Sequence, residues 1–139
     1  MTSTLAARNA QLVAAARTAR SRAYAPYSHY RVGAAIMTQG GRIYRGCNVE
    51  NASYGATMCA ERAALAAMVT AGHRDPVACA LVTGGAEPVA PCGICRQVLA
   101  EFARDMRLLL LSEDETGKQT GQKSARLSAL LPHAFRLGD

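Results

Sequence analysis

The chain has 139 residues, 50% of them hydrophobic and 19% charged, with 12 Gly and 5 Pro. That composition excludes disordered, collagen-like and low-complexity chains, and the length fits one domain spanning 1–139 with no room for a second catalytic one. The net charge is +6, placed unevenly: no Asp or Glu precedes Glu50, so the first 49 residues carry +7 and the remainder −1.

Taken in chain order, Leu5, Leu12, Val13 and Ala16 recur at helical spacing behind Thr2, Ser3 and Thr4 as possible caps, which predicts a helix over 4–22. Ala25-Pro26-Tyr27-Ser28 stops it. Val32 to Thr38 reads as a buried strand, Gly40-Gly41 as a hairpin turn and Ile43 to Val49 as the antiparallel partner. After a loop over 51–57, Met58 to Ala71 is rich in helix formers, and Gly72 ends it. Val77 to Thr83 is a strand, 84–91 a loop, Cys92 to Ala103 a helix and Leu108 to Leu111 a buried strand. Residues 112–123 read as polar turns, and Ala125 to Leu131 as a short helix before Pro132. Alternating strands and helices of this kind place helices on both faces of a mixed sheet.

The basic N-terminal half admits three readings. A nucleic-acid surface wants clustered Lys/Arg with aromatics between them, whereas here the arginines are scattered from Arg8 to Arg136. A transit peptide fits the acid-free, Ala- and Arg-rich residues 5–22 only if that helix lies outside the fold. The third reading is an ordinary amphipathic helix that happens to be basic. No apolar run approaches a membrane span and no export signal is visible, so the expected location is cytoplasmic. Five cysteines, an odd number, suit a reducing compartment better than a disulfide framework.

Their spacing points to metal. Cys59-Ala60-Glu61 opens one predicted helix and Pro91-Cys92-Gly93-Ile94-Cys95 opens another. A thiolate, not a thiol, binds a cation, and a helix N-terminus lowers the cost of deprotonation through its unpaired N–H groups. Three thiolates leave zinc one ligand short of its usual four, which is the open position of a catalytic site. Cys47, at a strand end, is the alternative fourth ligand of a closed, purely structural site. Glu61 turns the metal reading into an enzyme reading, because a carboxylate beside the ion can move a proton. Both Cys59 and Glu61 reach one site only if they lie in the first turn of their helix. The arrangement Cys-x-Glu followed by Pro-Cys-x-x-Cys is the signature of zinc-dependent deaminases. Arg62 either donates to a thiolate, withdrawing charge from the anionic cluster, or is a solvated helix residue.

Across nearly its whole length the chain resembles the small, homotetrameric, three-cysteine cytidine deaminases. The resemblance rests on Tyr24-Ala25-Pro26-Tyr27-Ser28, Val32-Gly33-Ala34-Ala35, the run from Gly46 to Gly55 containing Asn48-Val49-Glu50-Asn51, Cys59-Ala60-Glu61-Arg62, Pro91 to Gln97, and Leu130 to Phe135. It implies a three-layer α/β/α fold with about five strands in a mixed sheet. It makes residues 5–22 part of the domain. It implies one zinc per subunit on Cys59, Cys92 and Cys95, with Glu61 catalytic; Arg62 stands beside them in the matching motif with both of its readings open. It gives Asn48 and Glu50 the ribose, Ala60 and Tyr30 contact with the pyrimidine, and Tyr54 and Phe135 a reach into a neighbouring subunit's site. Tyr30-Arg31 departs from the common Phe-Pro pair, and the Tyr hydroxyl needs a partner. The implied reaction is hydrolytic deamination of cytidine and deoxycytidine in pyrimidine salvage: zinc-bound hydroxide attacks C4 while Glu61 shuttles protons. The partner is then a small nucleoside, with no nucleic acid and no membrane. Rival readings are a blasticidin-type aminohydrolase, which lacks the Asn-Val-Glu-Asn run, a nucleic-acid editing deaminase, and a structural zinc module.

Overall fold

A computed structural model of the chain describes residues 4–138. Helix α1 spans Leu5–Arg20, with the Thr4 hydroxyl accepting from the Ala7 amide at 3.1 Å as its N-cap. Thr2 and Ser3, the other candidate caps, lie outside the described residues. The helix ends at Arg20, two residues earlier than its sequence suggests, with Arg17 and Arg20 in the last turn where the helix dipole favours cations.

Strand β1, Val32–Thr38, turns back at Gly40-Gly41 into β2, Ile43–Cys47. A single 3-10 turn, Tyr54–Ala56, precedes α2, Ala60–Thr70. Then follow β3, Pro76–Gly84; α3, Gly93–Ala100; β4, Arg107–Glu113; β5, Gln119–Arg126; and α4, Leu127–Leu130. The strands form one mixed sheet in the order β2-β1-β3-β4-β5, in which only the β3/β4 pair is parallel.

Strand residues alternate between the two faces of a sheet, and the core divides accordingly. Ala35 and Met37 of β1, with Ala80, Val82, Leu109 and Leu111, pack against Leu12 and Ala16 of α1. Their neighbours Ala34 and Ile36, with Leu81, Leu108 and Leu110, pack on the other face against Ala64 and Met68 of α2 and Leu99 of α3. The three-layer α/β/α arrangement is thus present. Helix α1 is part of it, since Leu12 and Ala16 are fully buried. Among the described residues no helix is long and apolar enough to cross a membrane.

Several sequence expectations change. The stretch 112–123, read as turns, holds the end of β4 and most of the fifth strand, Gln119–Arg126; the final helix starts at Leu127 instead of Ala125; and β2, α2 and α3 are each shorter than their sequence suggests. Strand β5 is an edge strand, mostly exposed and polar, so it carries little of the apolar pattern by which buried strands are read. Its register with β4, Leu108 opposite Ala125 and Leu110 opposite Lys123, makes it a strand.

One close approach governs where the chemistry sits. A Cβ on Gly46 of β2 would lie 2.3 Å from the Ala64 amide nitrogen and 2.5 Å from the Ala60 carbonyl oxygen. Both are α2 backbone atoms, so nothing can give except the helix itself. Gly46→Ala is expected to cost about 3 kcal/mol or more and to displace the first turn of α2. A thermal melt lowered together with activity is the outcome to look for.

Candidate active site and metal centre

Cys59 is the N-cap of α2 and Cys92 the N-cap of α3, and neither sulfur caps a backbone N–H of its helix, which leaves both turned toward a ligand. Cys95 follows in the first turn of α3 and is fully buried. The two helix starts converge, so that the sulfurs of Cys59, Cys92 and Cys95 all lie within 4.8 Å of one another. Cys95 hydrogen-bonds to Cys59 and, with help from Arg62 and Cys92 and against burial, holds the Cys59 thiol down at about 5. The same contact, reinforced by burial and by Glu61, pushes the Cys95 thiol far up. Three soft sulfurs packed this closely, of which one readily ionises, fit a thiophilic cation such as zinc.

Arg62 resolves toward the cluster. Its Nη2 donates to the Thr57 carbonyl at 2.9 Å and lies 3.9 Å from Cys59 Sγ. Cys47 is not a member: its thiol points to the Arg22 carbonyl at 3.7 Å, and among the described residues the cluster holds three cysteines. Cys47→Ser is therefore expected to keep about one zinc per chain by elemental analysis and to keep the parental rate. Loss of the metal would mean a closed four-thiolate site.

Beside the sulfurs lies a cavity of about 240 Å³ lined by Cys59, Ala60, Glu61 and Cys92, with Tyr30, Val32 and Asn48 from the β1 side. Glu61 sits in the first turn of α2, as required for it and Cys59 to share a site, and is only 4% exposed. Burial pushes its carboxyl above the usual range, and the charge on Cys59 adds to this.

The loop that carries the polar groups is tied to the same rim. Val49 and Met58 exchange backbone hydrogen bonds at 2.9 Å, which brings Asn48 and Glu50 up to the start of α2. The Asn48 amide donates to Tyr30 O at 2.7 Å and its oxygen accepts from the Val32 amide at 2.9 Å. One N–H and one lone pair of Asn48 remain for a ligand. Glu50 accepts from the Tyr27 and Ser28 amides at 2.9 and 3.1 Å and from the Ser28 hydroxyl. These bonds, the Ser28 hydroxyl foremost, hold the half-buried Glu50 carboxyl below the usual range. Tyr54 and Phe135, 84% and 66% exposed, do not line the cavity of their own chain.

The family model for the cytidine and deoxycytidylate deaminase zinc-binding region matches residues 7–111, which include both helix starts. A cytidine deaminase of Halalkalibacterium halodurans is 45% identical over 130 residues, covering 92% of this chain and 94% of that protein. The chain belongs to the cytidine deaminase family. Another cytidine deaminase, from Mycobacterium tuberculosis, is 42% identical over 124 residues, 89% of this chain and 86% of that one. The crystal structure of cytidine deaminase from Burkholderia pseudomallei superposes with a TM-score of 0.81 at 43% identity, over 91% of this chain and 98% of that chain. The zinc-binding region and the three-cysteine cluster together support one zinc per subunit.

For this cytidine deaminase family member, the sequence left several site residues unread. Leu81 and Thr83 of β3 and Val89 complete the cavity wall. Arg96 donates to Pro91 O at 2.7 Å and to Leu130 O at 3.0 Å, bracing the turn before Cys92 against α4. Its place in the run from Pro91 to Gln97 was the signal in the sequence; the carbonyls it binds are set by the fold.

Proposed function

We propose that this chain catalyses the zinc-dependent hydrolytic deamination of cytidine and deoxycytidine to uridine and deoxyuridine with release of ammonia. One observation carries the reading: a buried carboxyl, Glu61, lines the same cavity as two of three mutually adjacent cysteines. Cys59, Cys92 and Cys95 hold the zinc, whose Lewis acidity lowers the pKa of a water molecule toward about 7. Glu61 accepts a proton as water oxygen bonds to C4, and passes it to N3. It then carries the second water proton to the exocyclic nitrogen as the C4–N bond breaks, so that ammonia leaves and the ring keeps the oxygen. Tyr30 and Ala60 border the pyrimidine. Asn48 and Glu50 take the ribose hydroxyls, and an ionised Glu50 repels a phosphate, which favours nucleosides over nucleotides.

Tyr54 and Phe135 take part from a neighbouring subunit in a homotetramer, a role compatible with their exposure. The chain acts as one unit on a small nucleoside in the cytoplasm, in pyrimidine salvage, without nucleic acid or membrane. The test is loss of ultraviolet absorbance with cytidine, deoxycytidine and free cytosine, with and without a chelator, alongside mass in solution. Turnover of the nucleosides that a chelator abolishes is expected. No change with any of the three, zinc being bound, would leave a structural zinc module in its place.

A further inference from the structure

We infer that Arg20, oriented by Glu113, is a positioning residue for the substrate pocket: it fixes the backbone at residues 30–32, where Tyr30 and Val32 line the cavity. The inference rests on the deaminase reading above for its kinetic consequence, and on geometry alone for its structural one.

Arg20 is the last residue of α1 and does not line the cavity. Its Nε donates to the Arg31 carbonyl at 3.0 Å, and its Nη1 donates to Glu113 Oε1 at 2.8 Å. The guanidinium lies over Gly84 at the end of β3, where a Cβ would come within 2.7 Å of Nη2. Glu113, the last residue of β4, is 6% exposed, and its second oxygen is 3.3 Å from Arg17 Nε. A carboxylate this deeply set needs its cations. Its geometric effect is to aim one edge of the Arg20 fork at Arg31 O.

The segment it reaches needs such a hold. His29 has φ of 58°, the left-handed region that a non-glycine residue adopts only when its surroundings impose it. From there the backbone is gripped by side chains in succession. Ser28 Oγ accepts from the Tyr30 amide at 3.0 Å, Asn48 takes Tyr30 O and the Val32 amide, and Arg20 takes Arg31 O. Asn48 also lines the cavity, and Ser28 is bonded to Glu50, the residue proposed for the ribose. Arg20 does not, so it acts on substrate only through the segment. Lysine cannot replace it, because one ammonium lacks the rigid fork that serves two acceptors in different directions.

The test uses the zinc-loaded full-length protein with Arg20→Lys and Glu113→Gln. Arg20→Lys is expected to raise KM for cytidine about tenfold while kcat stays within about twofold, the pattern of lost binding with intact chemistry. Zinc content should stay at the parental value, the melting temperature should fall modestly because Glu113 loses part of its pairing, and hydrogen exchange at the Tyr30 and Val32 amides should quicken. Glu113→Gln, which keeps an acceptor for Arg20, should move KM and exchange the same way but less. A parental KM and parental exchange in both variants overturn the inference. So does a fall in kcat and zinc without a KM change, which marks a merely structural pair. If the parent itself does not turn over cytidine, the deaminase reading has failed, and the exchange measurement still decides whether Arg20 holds residues 30–32.

Discussion

Glu61→Gln binds cytidine with close to parental affinity and turns it over about 10²- to 10⁴-fold more slowly, the span expected when a general acid–base group is removed. The substitution preserves shape and a hydrogen-bonding amide oxygen, so the packing of the first turn of α2 against Gly46 is undisturbed. What disappears is a proton carrier in a wall that solvent barely reaches, Glu61 being 4% exposed, so bulk buffer cannot take over its work efficiently. The same burial disfavours the ionised carboxylate, whose pKa it raises. A neutral amide removes that penalty, and the melting temperature of the variant should equal or exceed the parent's. Steady-state kinetics, calorimetric binding of cytidine and a thermal melt on one preparation check all of this. A near-parental rate would remove Glu61 from the mechanism.

Cys95→Ser loses the zinc and, with it, measurable turnover. Cys95 is fully buried in the first turn of α3, within 4.8 Å of the other two sulfurs, and a hydroxyl there is a far poorer ligand than a thiolate. Because the ion binds the folded chain and bridges two helix starts, its removal also lowers stability. At a free concentration 1,000 times Kd the linkage is worth about 4 kcal/mol. For a chain of this size that is a drop in melting temperature on the order of 10 °C. Treating the parent with a chelator should reproduce the loss of activity and the lower melt, and returning zinc should restore both. The variant should regain neither. Retained zinc in Cys95→Ser would place the metal elsewhere.

Much of this was legible in the residues. Cys92 and Cys95 are three apart at a helix start, and Cys59 and Glu61 two apart at another, so covalent spacing alone delivers each pair to a first turn. Three strands announced themselves through apolar runs, Val32 to Thr38, Val77 to Thr83 and Leu108 to Leu111, because a strand buried between two helix layers has no polar face to show, while β2 was read from the Gly40-Gly41 turn before it. Strand β5 did not, being an edge whose residues are mostly solvated and whose conformation is set by hydrogen bonds to β4. Arg62 was undecided between a thiolate and solvent because the Thr57 carbonyl that orients it is a loop atom.

The charge imbalance marks the division most sharply. By itself the sequence determined that seven arginines and no acid precede Glu50, that a deaminase-type zinc motif follows, and that helices and strands alternate. Only the tertiary structure decided where that charge goes. Glu113 stands 93 residues from Arg20, yet the β3/β4 pairing and the packing of α1 on the sheet bring it within 2.8 Å. Local rules of spacing and propensity act over a few residues, whereas a counterion across the sheet is chosen by strand order and register, which arise from burial of both faces at once. The meeting of the two cysteine-bearing helix starts on one ion was read from the combined motif, whereas the geometry of that meeting, three sulfurs within 4.8 Å of one another, belongs to the fold.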